Sequence, residues 1–267
     1  MKLALMDGAV GALVEPGELR ALGFEAVQVF FGHGPDGAAA DPDPDALKAR
    51  LREEGVALAA MTLHVDLVGA QGAKAGDVER AIRCVEKTAA LDGVFGDNER
   101  PLLIWHPSGY PQGDTADLDV RVHQGLCEAL ADVAQAAEHL GVSVAVEITR
   151  AGSIGGAEAY LRVRDCVDSP ALKVCLDAAN FTPDRTPLAR AVRMLGPDTI
   201  IVHGKDARFD ETGQVVDYGP TGSGTLDYEA YLRYVTEYVA APYFVLEYYR
   251  SRDDLLRARD IVRGCMA

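Results

Sequence analysis

Short apolar segments alternate with longer segments of helical periodicity from one end of the chain to the other. Several apolar segments are nearly continuous in Val, Ile and Leu, which is typical of strands that are buried on both faces. Strict alternation of strands and helices predicts a parallel sheet with right-handed crossovers. The predicted strands are Leu3–Met6, Ala26–Phe31, Val56–His64, Leu102–His106, Val142–Glu147, Leu172–Asp177, Thr199–His203 and Tyr243–Glu247.

The segments between these strands have the length and periodicity of helices. Gly55 and Gly141 follow two of them, at the position where a left-handed residue commonly ends a helix. The first predicted helix, around Pro16–Leu22, is short. The others are Asp45–Glu54, Val78–Leu91, Leu118–Leu140, Ala157–Val167, Leu188–Leu195, Asp227–Tyr238 and Arg252–Arg263.

Eight successive strand–helix units predict closure into a single α/β domain, a (β/α)₈ TIM barrel over residues 1–267. The alternative is a doubly wound open sheet, which usually has a Gly-rich phosphate-binding turn after its first strand. The turn here reads Asp7-Gly8-Ala9-Val10-Gly11-Ala12 and does not fit that pattern. The barrel is therefore the favoured fold.

The net charge of −15 disfavours nucleic acids and anionic membranes as partners, because both are bound by clustered Lys and Arg. The five cysteines are odd in number and form no CxxC pair, which indicates reduced thiols and a cytoplasmic protein. Cys84, Cys127 and Cys175 lie in apolar patterns, so we expect them in the core. The apolar start of the chain is too short for a signal peptide, and no apolar run approaches the ~20 residues of a membrane span.

Four successive strands, from the fifth to the eighth, end in side chains that can bind a metal ion. These are Glu147, Asp177, His203 and Glu247. One polar residue at a strand end is commonly structural. Four on neighbouring strands would converge at the C-terminal mouth of a barrel, where buried carboxylates repel one another unless a cation compensates. Three carboxylates and one imidazole suit Mn²⁺, Mg²⁺, Co²⁺ or Zn²⁺.

The second half of the chain also carries longer motifs around these residues. The most specific are His-x-Lys-Asp-x-Arg at 203–208 and Gly-x-Gly-x-x-Asp-Tyr at 222–228, together with Cys-Leu-Asp-Ala-Ala-Asn at 175–180 and the Val146-Glu147 and Leu246-Glu247 pairs. The sequence resembles the xylose isomerase-like TIM barrel family, and within it the sugar phosphate isomerase and epimerase branch. The first half of the chain agrees with the family only in the spacing of its predicted strands.

The resemblance implies an enzyme that binds one divalent ion, Mn²⁺ before the others, through the four strand-end residues. It implies that Glu147 and Glu247 also move protons, one removing a proton next to a carbonyl and the other returning one. The ion would polarise the carbonyl oxygen and stabilise an enediolate. Return of the proton to the opposite face is epimerisation, and return to the neighbouring carbon is aldose–ketose isomerisation.

Two positions depart from the family pattern. Family members often have His three residues after the aspartate ligand, where this chain has Asn180, which forms hydrogen bonds but carries no proton. Many epimerases have Glu six residues after the first glutamate ligand, where this chain has Ser153. Both departures disfavour a free ketohexose as the substrate.

Further residues are candidates for substrate binding because mouth loops concentrate binding residues. They are His64, His106, Asn180, Lys205 and Arg208. Each of the last two could instead pair with a nearby aspartate. We expect His123 and His139 to be surface or packing residues on a helix.

Three alternatives stay open besides a carbohydrate epimerase or isomerase. A dehydratase or lyase acting on a sugar or cyclitol would use the same ion and the same proton abstraction. An apurinic-site endonuclease would need more histidines than this chain offers and a basic surface. A relative without catalytic activity is the third. The resemblance also makes a homo-oligomer a reasonable expectation.

Overall fold

Eight parallel strands close into a barrel in a computed structural model of the protein, which describes residues 1–32, 40–107, 120–149, 152–181, 187–211 and 215–266. The strands are β1 Lys2–Met6, β2 Ala26–Phe30, β3 Ala57–His64, β6 Leu102–His106, β7 Ser143–Glu147, β8 Leu172–Asp177, β9 Thr199–Phe209 and β11 Tyr243–Leu246. They follow one another around the barrel in this order, and β11 pairs with β1 to complete the circle. The predicted TIM barrel is confirmed.

The helices lie between the strands as predicted. Gly55 and Gly141 both adopt left-handed backbone angles after their helices, with φ of 66° and 67°. Leu118, where one helix was predicted to begin, lies outside the described residues. The helices are α1 Leu19–Leu22, α2 Pro44–Glu54, α3 Ala75–Ala89, α4 Val120–Leu140, α5 Ala157–Val167, α6 Leu188–Leu195, α7 Tyr228–Tyr238 and α8 Arg252–Met266.

The core is formed by the strands and by the inner faces of the helices around them. Strand residues such as Leu58, Val144 and Leu176 are fully buried, as strands covered on both faces require. Cys84, Cys127 and Cys175 are also buried, as predicted from their apolar surroundings. No helix in the described ranges is long and apolar enough to cross a membrane.

One strand boundary was predicted wrongly, and it changes the shape of the mouth. The sequence predicted that the seventh barrel strand ends at His203, but β9 continues to Phe209. The extension pairs antiparallel with an additional strand, β10 (Val215–Pro220). This pairing satisfies backbone hydrogen-bonding groups that a free strand end would expose. A second small addition, β4 (Val68–Gly69) paired with β5 (Gly72–Ala73), follows β3.

Gly204 lies in β9 where the barrel wall leaves no room for a side chain. A Cβ atom there would lie 2.3 Å from Phe244 Cε1 and 3.2 Å from Leu246 Cδ2, both on β11. The Gly204 carbonyl also accepts a hydrogen bond of 3.2 Å from the Glu247 amide. Gly204 therefore lets β9 and β11 approach each other at the point where both carry candidate ligands.

We predict that Gly204→Ala lowers the free energy of unfolding by about 1–3 kcal/mol, because the added methyl group overpacks the contact with Phe244. Urea unfolding of the metal-free protein measures the change. Gly76→Ala is the matched control: it lies on α3 with no atom within 4 Å of an added Cβ. We expect it to be neutral or stabilising by up to about 1 kcal/mol. Equal stability of Gly204→Ala and the wild type would contradict the close packing.

Candidate metal centre and active site

Four buried side chains converge at the mouth of the barrel, which is the end formed by the carboxyl termini of its strands. Glu147 ends β7, Asp177 ends β8, His203 lies within β9 and Glu247 directly follows β11. These strands are consecutive neighbours around the barrel, and in their register Asp177 lies beside His203. One donor atom from each residue lies within 4.8 Å of the donor atoms of the other three. The structure thus brings together all four of the predicted ligands.

The His203 imidazole lies between the two glutamates. Its Nδ1 atom is 3.6 Å from Glu147 Oε2 and 3.6 Å from Glu247 Oε1. The other ring nitrogen, Nε2, donates a hydrogen bond of 3.0 Å to Gln28 Oε1. Because Nε2 carries the proton in this hydrogen bond, the Nδ1 lone pair faces the carboxylates, as a metal ligand requires.

Gln28 contacts the candidate site and was missed by the sequence analysis. It is fully buried in β2, and its Nε2 donates a hydrogen bond of 2.9 Å to Thr62 Oγ1 on β3. This second hydrogen bond holds the Gln28 side chain in place, with its amide oxygen toward His203. The sequence did contain a signal, because Gln28 and Thr62 are polar residues inside otherwise apolar strands, where a buried polar group needs a partner.

Lys205 lies two residues after His203 on the same face of β9 and points into the same site. Its side chain is 5% exposed, and its ammonium group forms an ion pair with Asp177. Lys205 Nζ is also 3.1 Å from Glu247 Oε1 and 3.6 Å from Glu147 Oε1. Three carboxyl groups surround one ammonium, and burial raises the pKa of Asp177 well above its usual value because the charged form is poorly solvated there. Buried charge of this kind is stable only with further compensation, which favours a bound cation.

The charges at the site shift one another's pKa values. Burial alone would raise the pKa of Glu147, but the positive or protonatable groups of His106, His203 and Lys205 outweigh it and lower that pKa. Burial alone would lower the pKa of Lys205, but Asp177 and the two glutamates hold it well above its usual value. Glu147 is therefore an ionised carboxylate, and Lys205 is an ammonium, at neutral pH.

The donor set fits a divalent metal ion. His203 Nδ1 is a buried atom without a hydrogen-bond partner within the described residues, and leaving such an atom unsatisfied is costly. Asp177 Oδ2 and Glu247 Oε1 are opposed there by the Lys205 ammonium. Carboxylate oxygens with one imidazole nitrogen suit hard or borderline ions. The four residues would hold the ion, and the Lys205 ammonium would compete with it for the same oxygens.

The side of the site next to Glu147 is formed by three of the predicted substrate-binding residues. Asn180 is buried just after β8, and its Nδ2 lies 3.3 Å from Glu147 Oε1, to which it donates. His106 Nε2 is 3.8 Å from the same oxygen. The His64 ring stacks on the His106 ring, with centroids 4.4 Å apart and planes at 16°. Asn180 thus positions Glu147, and the two histidines form a wall beside it.

Two tyrosines that the sequence analysis did not single out flank Lys205 near the mouth. The ring centroids of Tyr218, on β10, and Tyr248 each lie 5.3 Å from Lys205 Nζ, within range of a cation–π interaction. Tyr248 directly follows Glu247 and has a φ of 61°, which a bulky residue rarely adopts. Such backbone strain persists where the surrounding structure enforces it, commonly at binding sites.

The remaining candidates lie farther from the ligand cluster. Arg208 is exposed on the extension of β9, where its Nε donates a hydrogen bond of 3.2 Å to the Ser223 carbonyl. Ser153 is buried in the segment after β7. His123 and His139 both lie on α4, as predicted.

Comparisons with known proteins agree with this architecture. The family described as "Xylose isomerase-like TIM barrel" matches residues 17–265 of the chain. No curated protein matches the sequence. Solved structures match over nearly the whole chain, but at sequence identities that show the fold alone.

Three of the solved structures that share the fold are similar in length to this chain. The IolI protein with a bound zinc atom has a TM-score of 0.72 and 16% identity, covering 100% of this chain and 96% of its own. The probable 3-DHS dehydratase AsbF from Bacillus anthracis has a TM-score of 0.75 and 16% identity, and the match covers 98% of this chain and 99% of AsbF. D-psicose 3-epimerase from Clostridium cellulolyticum H10 has a TM-score of 0.71 and 16% identity, and the match covers 100% of this chain and 99% of the epimerase.

We predict that Gln28→Leu weakens metal binding about 10–100-fold, because His203 loses the acceptor that fixes its tautomer and orientation. Calorimetric titration of the metal-free protein with Mn²⁺ measures the affinity. Gln71→Leu is the control, since Gln71 is exposed in the turn between β4 and β5. Unchanged affinity in Gln28→Leu would show that Gln28 does not support the ligand.

We also predict that Lys205→Met lowers the free energy of unfolding of the metal-free protein by about 3–5 kcal/mol, because the buried carboxylates lose their counter-ion. Adding metal should raise the midpoint of unfolding more in this variant than in the wild type. Lys48→Met, on the outer helix α2, is the control. Equal stability of metal-free Lys205→Met and wild type would contradict the counter-ion role.

Proposed function

The chain belongs to the xylose isomerase-like TIM barrel family, and we propose that it is a divalent-metal-dependent epimerase or isomerase acting on a sugar or a sugar-derived keto compound. One observation carries the proposal: the carboxylates of Glu147 and Glu247 both face the same point of the mouth, each 3.6 Å from His203 Nδ1. A substrate carbon held between two carboxylates can lose a proton to one and receive a proton from the other.

The proposed reaction begins with removal of a proton next to the substrate carbonyl. Glu147 suits the role of base because the neighbouring cationic groups keep it ionised and Asn180 holds its orientation. Glu247, in its protonated form, then delivers a proton. Delivery to the other face of the same carbon inverts that carbon. Delivery to the former carbonyl carbon moves the carbonyl, provided that the hydroxyl proton of the deprotonated carbon passes to the former carbonyl oxygen. A bound divalent ion would supply a Lewis acid that polarises the carbonyl oxygen.

We propose Mn²⁺ as the ion and the mouth residues as the substrate-binding groups. Three carboxylates and one imidazole match an ion that prefers oxygen ligands but accepts nitrogen. His64 and His106 can donate hydrogen bonds to substrate hydroxyl groups beside Glu147. Lys205 is placed to bind a substrate oxygen once it leaves the carboxylates, and Arg208 is placed to meet a substrate at the outer edge of the mouth. The tyrosine rings next to Lys205 suit the apolar face of a sugar.

A dehydratase is the second candidate, and the position of Lys205 favours it. The same base would remove a proton next to the carbonyl. The hydroxyl group on the following carbon would then depart as water, taking a proton from a nearby acid and leaving a carbon–carbon double bond conjugated to the carbonyl. The Lys205 ammonium, 3.1 Å from Glu247 Oε1, would supply that proton once it leaves the carboxylates that raise its pKa. AsbF, one of the structural neighbours, is described as a probable dehydratase.

The test is solvent exchange in D₂O with a panel of ketoses and keto acids and the Mn²⁺-loaded protein. We expect deuterium to enter next to the carbonyl, and NMR and mass spectrometry record it. Deuterium without loss of water supports the epimerase or isomerase, and loss of water supports the dehydratase. If no compound of the panel shows metal-dependent exchange, both proposed activities are contradicted for these substrate classes.

We predict that Glu147→Gln and Glu247→Gln each lower the turnover rate about 10²–10⁴-fold, because an amide cannot accept the proton. Metal content must be measured in each variant, because both residues are also candidate ligands. Glu86→Gln, on the exposed side of α3, is the control and should keep full activity. Full exchange activity in both mouth variants would show that the proton carriers are wrongly assigned.

A further inference from the structure

A second group of metal-binding side chains lies in the outer layer of helices. His123 and Cys127 are on α4, and Cys166 is in the last turn of α5. The three donor atoms all lie within 4.8 Å of one another, and His123 Nε2 is 3.7 Å from Cys127 Sγ. None of these residues belongs to the mouth, where the donors are carboxylates and one imidazole.

The local structure explains why the three side chains meet. His123 and Cys127 are four residues apart, so they lie on the same face of α4, one turn above the other. Cys166 reaches that face from the neighbouring helix. Cys127 is 5% exposed, His123 is half-buried and Cys166 is exposed, so the group is anchored on its inner side and open to solvent on its outer side.

We propose that His123 Nε2, Cys127 Sγ and Cys166 Sγ bind one zinc ion, with water in the fourth position. Two thiolates and one imidazole are a donor set that borderline-soft ions such as Zn²⁺ prefer, and tetrahedral coordination by three side chains and one water is common for zinc. Binding requires both thiols to lose their protons to solvent. The ion would join α4 to the end of α5.

The chemistry of this site separates it from the mouth. Oxygen donors at the mouth favour hard ions, whereas sulfur donors favour softer ones, so one chain offers two sites with different metal preferences. The imidazole also distinguishes a metal site from a pair of cysteines poised for a disulfide, because disulfide formation has no need for it. A disulfide between Cys127 and Cys166 is accordingly one outcome that the experiment must be able to detect.

The test uses full-length protein that has been reduced, stripped of metal and titrated anaerobically with Co²⁺, which replaces zinc and absorbs light. Cobalt bound to thiolates gives near-ultraviolet charge-transfer absorption that oxygen and nitrogen ligands do not produce. We expect this absorption to appear at one ion per chain in the wild type and to disappear when Zn²⁺ is added. Because the mouth contributes no predicted thiolate ligand, the result is independent of the proposed function.

Variants of the two exposed cysteines provide the matched comparison. Cys166→Ala should abolish the charge-transfer absorption and reduce the total metal bound by one ion per chain. Cys265→Ala, which removes the exposed cysteine of α8, should leave both unchanged. His123→Ala should weaken cobalt binding while keeping some of the absorption, because two thiolates remain. The thermal midpoint of each metal-free variant, compared with the wild type, shows that the helices remain folded.

Three outcomes would overturn the proposal. The first is a wild-type titration without charge-transfer absorption. The second is absorption that persists in Cys166→Ala, which would assign it to another cysteine, such as Cys175 near Glu147 and His203. The third is reduced protein that binds no cobalt through thiolates but loses two thiols and two hydrogen masses on exposure to air, which would identify a disulfide pair.

Discussion

The burial of three carboxylates around a single point at the mouth of the barrel is the constraint on which the site depends. Removing such charges from water is costly, and their mutual repulsion adds to the cost. The structure offsets it with one buried lysine and with hydrogen bonds that hold Glu147 and His203 in place. The same arrangement keeps a base ionised next to a metal-binding position, so the energetic problem and the proposed chemistry have a common origin.

Much of the fold was predictable because burial of parallel strands leaves a strong pattern in the sequence. Seven of the eight strand segments were predicted to within a residue or two at each end. The exception is β9, whose extension beyond His203 is stabilised by pairing with β10. Three residues of the extension are charged, namely Lys205, Asp206 and Arg208. A charged segment favours a loop over a buried strand, so the strand was predicted to end at His203. Strand pairing between two local segments is a tertiary property that composition does not reveal.

The candidate site was partly predictable for a related reason. Each predicted ligand follows an apolar strand directly, so position along the chain translates into position at the mouth. Gln28 escaped prediction because its contact with His203 joins β2 to β9, which are not neighbouring strands and meet only when the barrel closes. The left-handed backbone of Tyr248 has no sequence signal, since most residues with that conformation are Gly, Asn or Asp.

Closure of the barrel has a consequence for the order in which the protein matures. During synthesis, the strands bearing Glu147, Asp177 and His203 emerge from the ribosome before β11, which carries the chain to Glu247 and pairs with β1. Pairing of β1 with β11 closes the barrel and brings Glu247 to the other three side chains. A nascent chain that lacks β11 presents three of the four candidate ligands, so the complete candidate set belongs to the closed barrel alone.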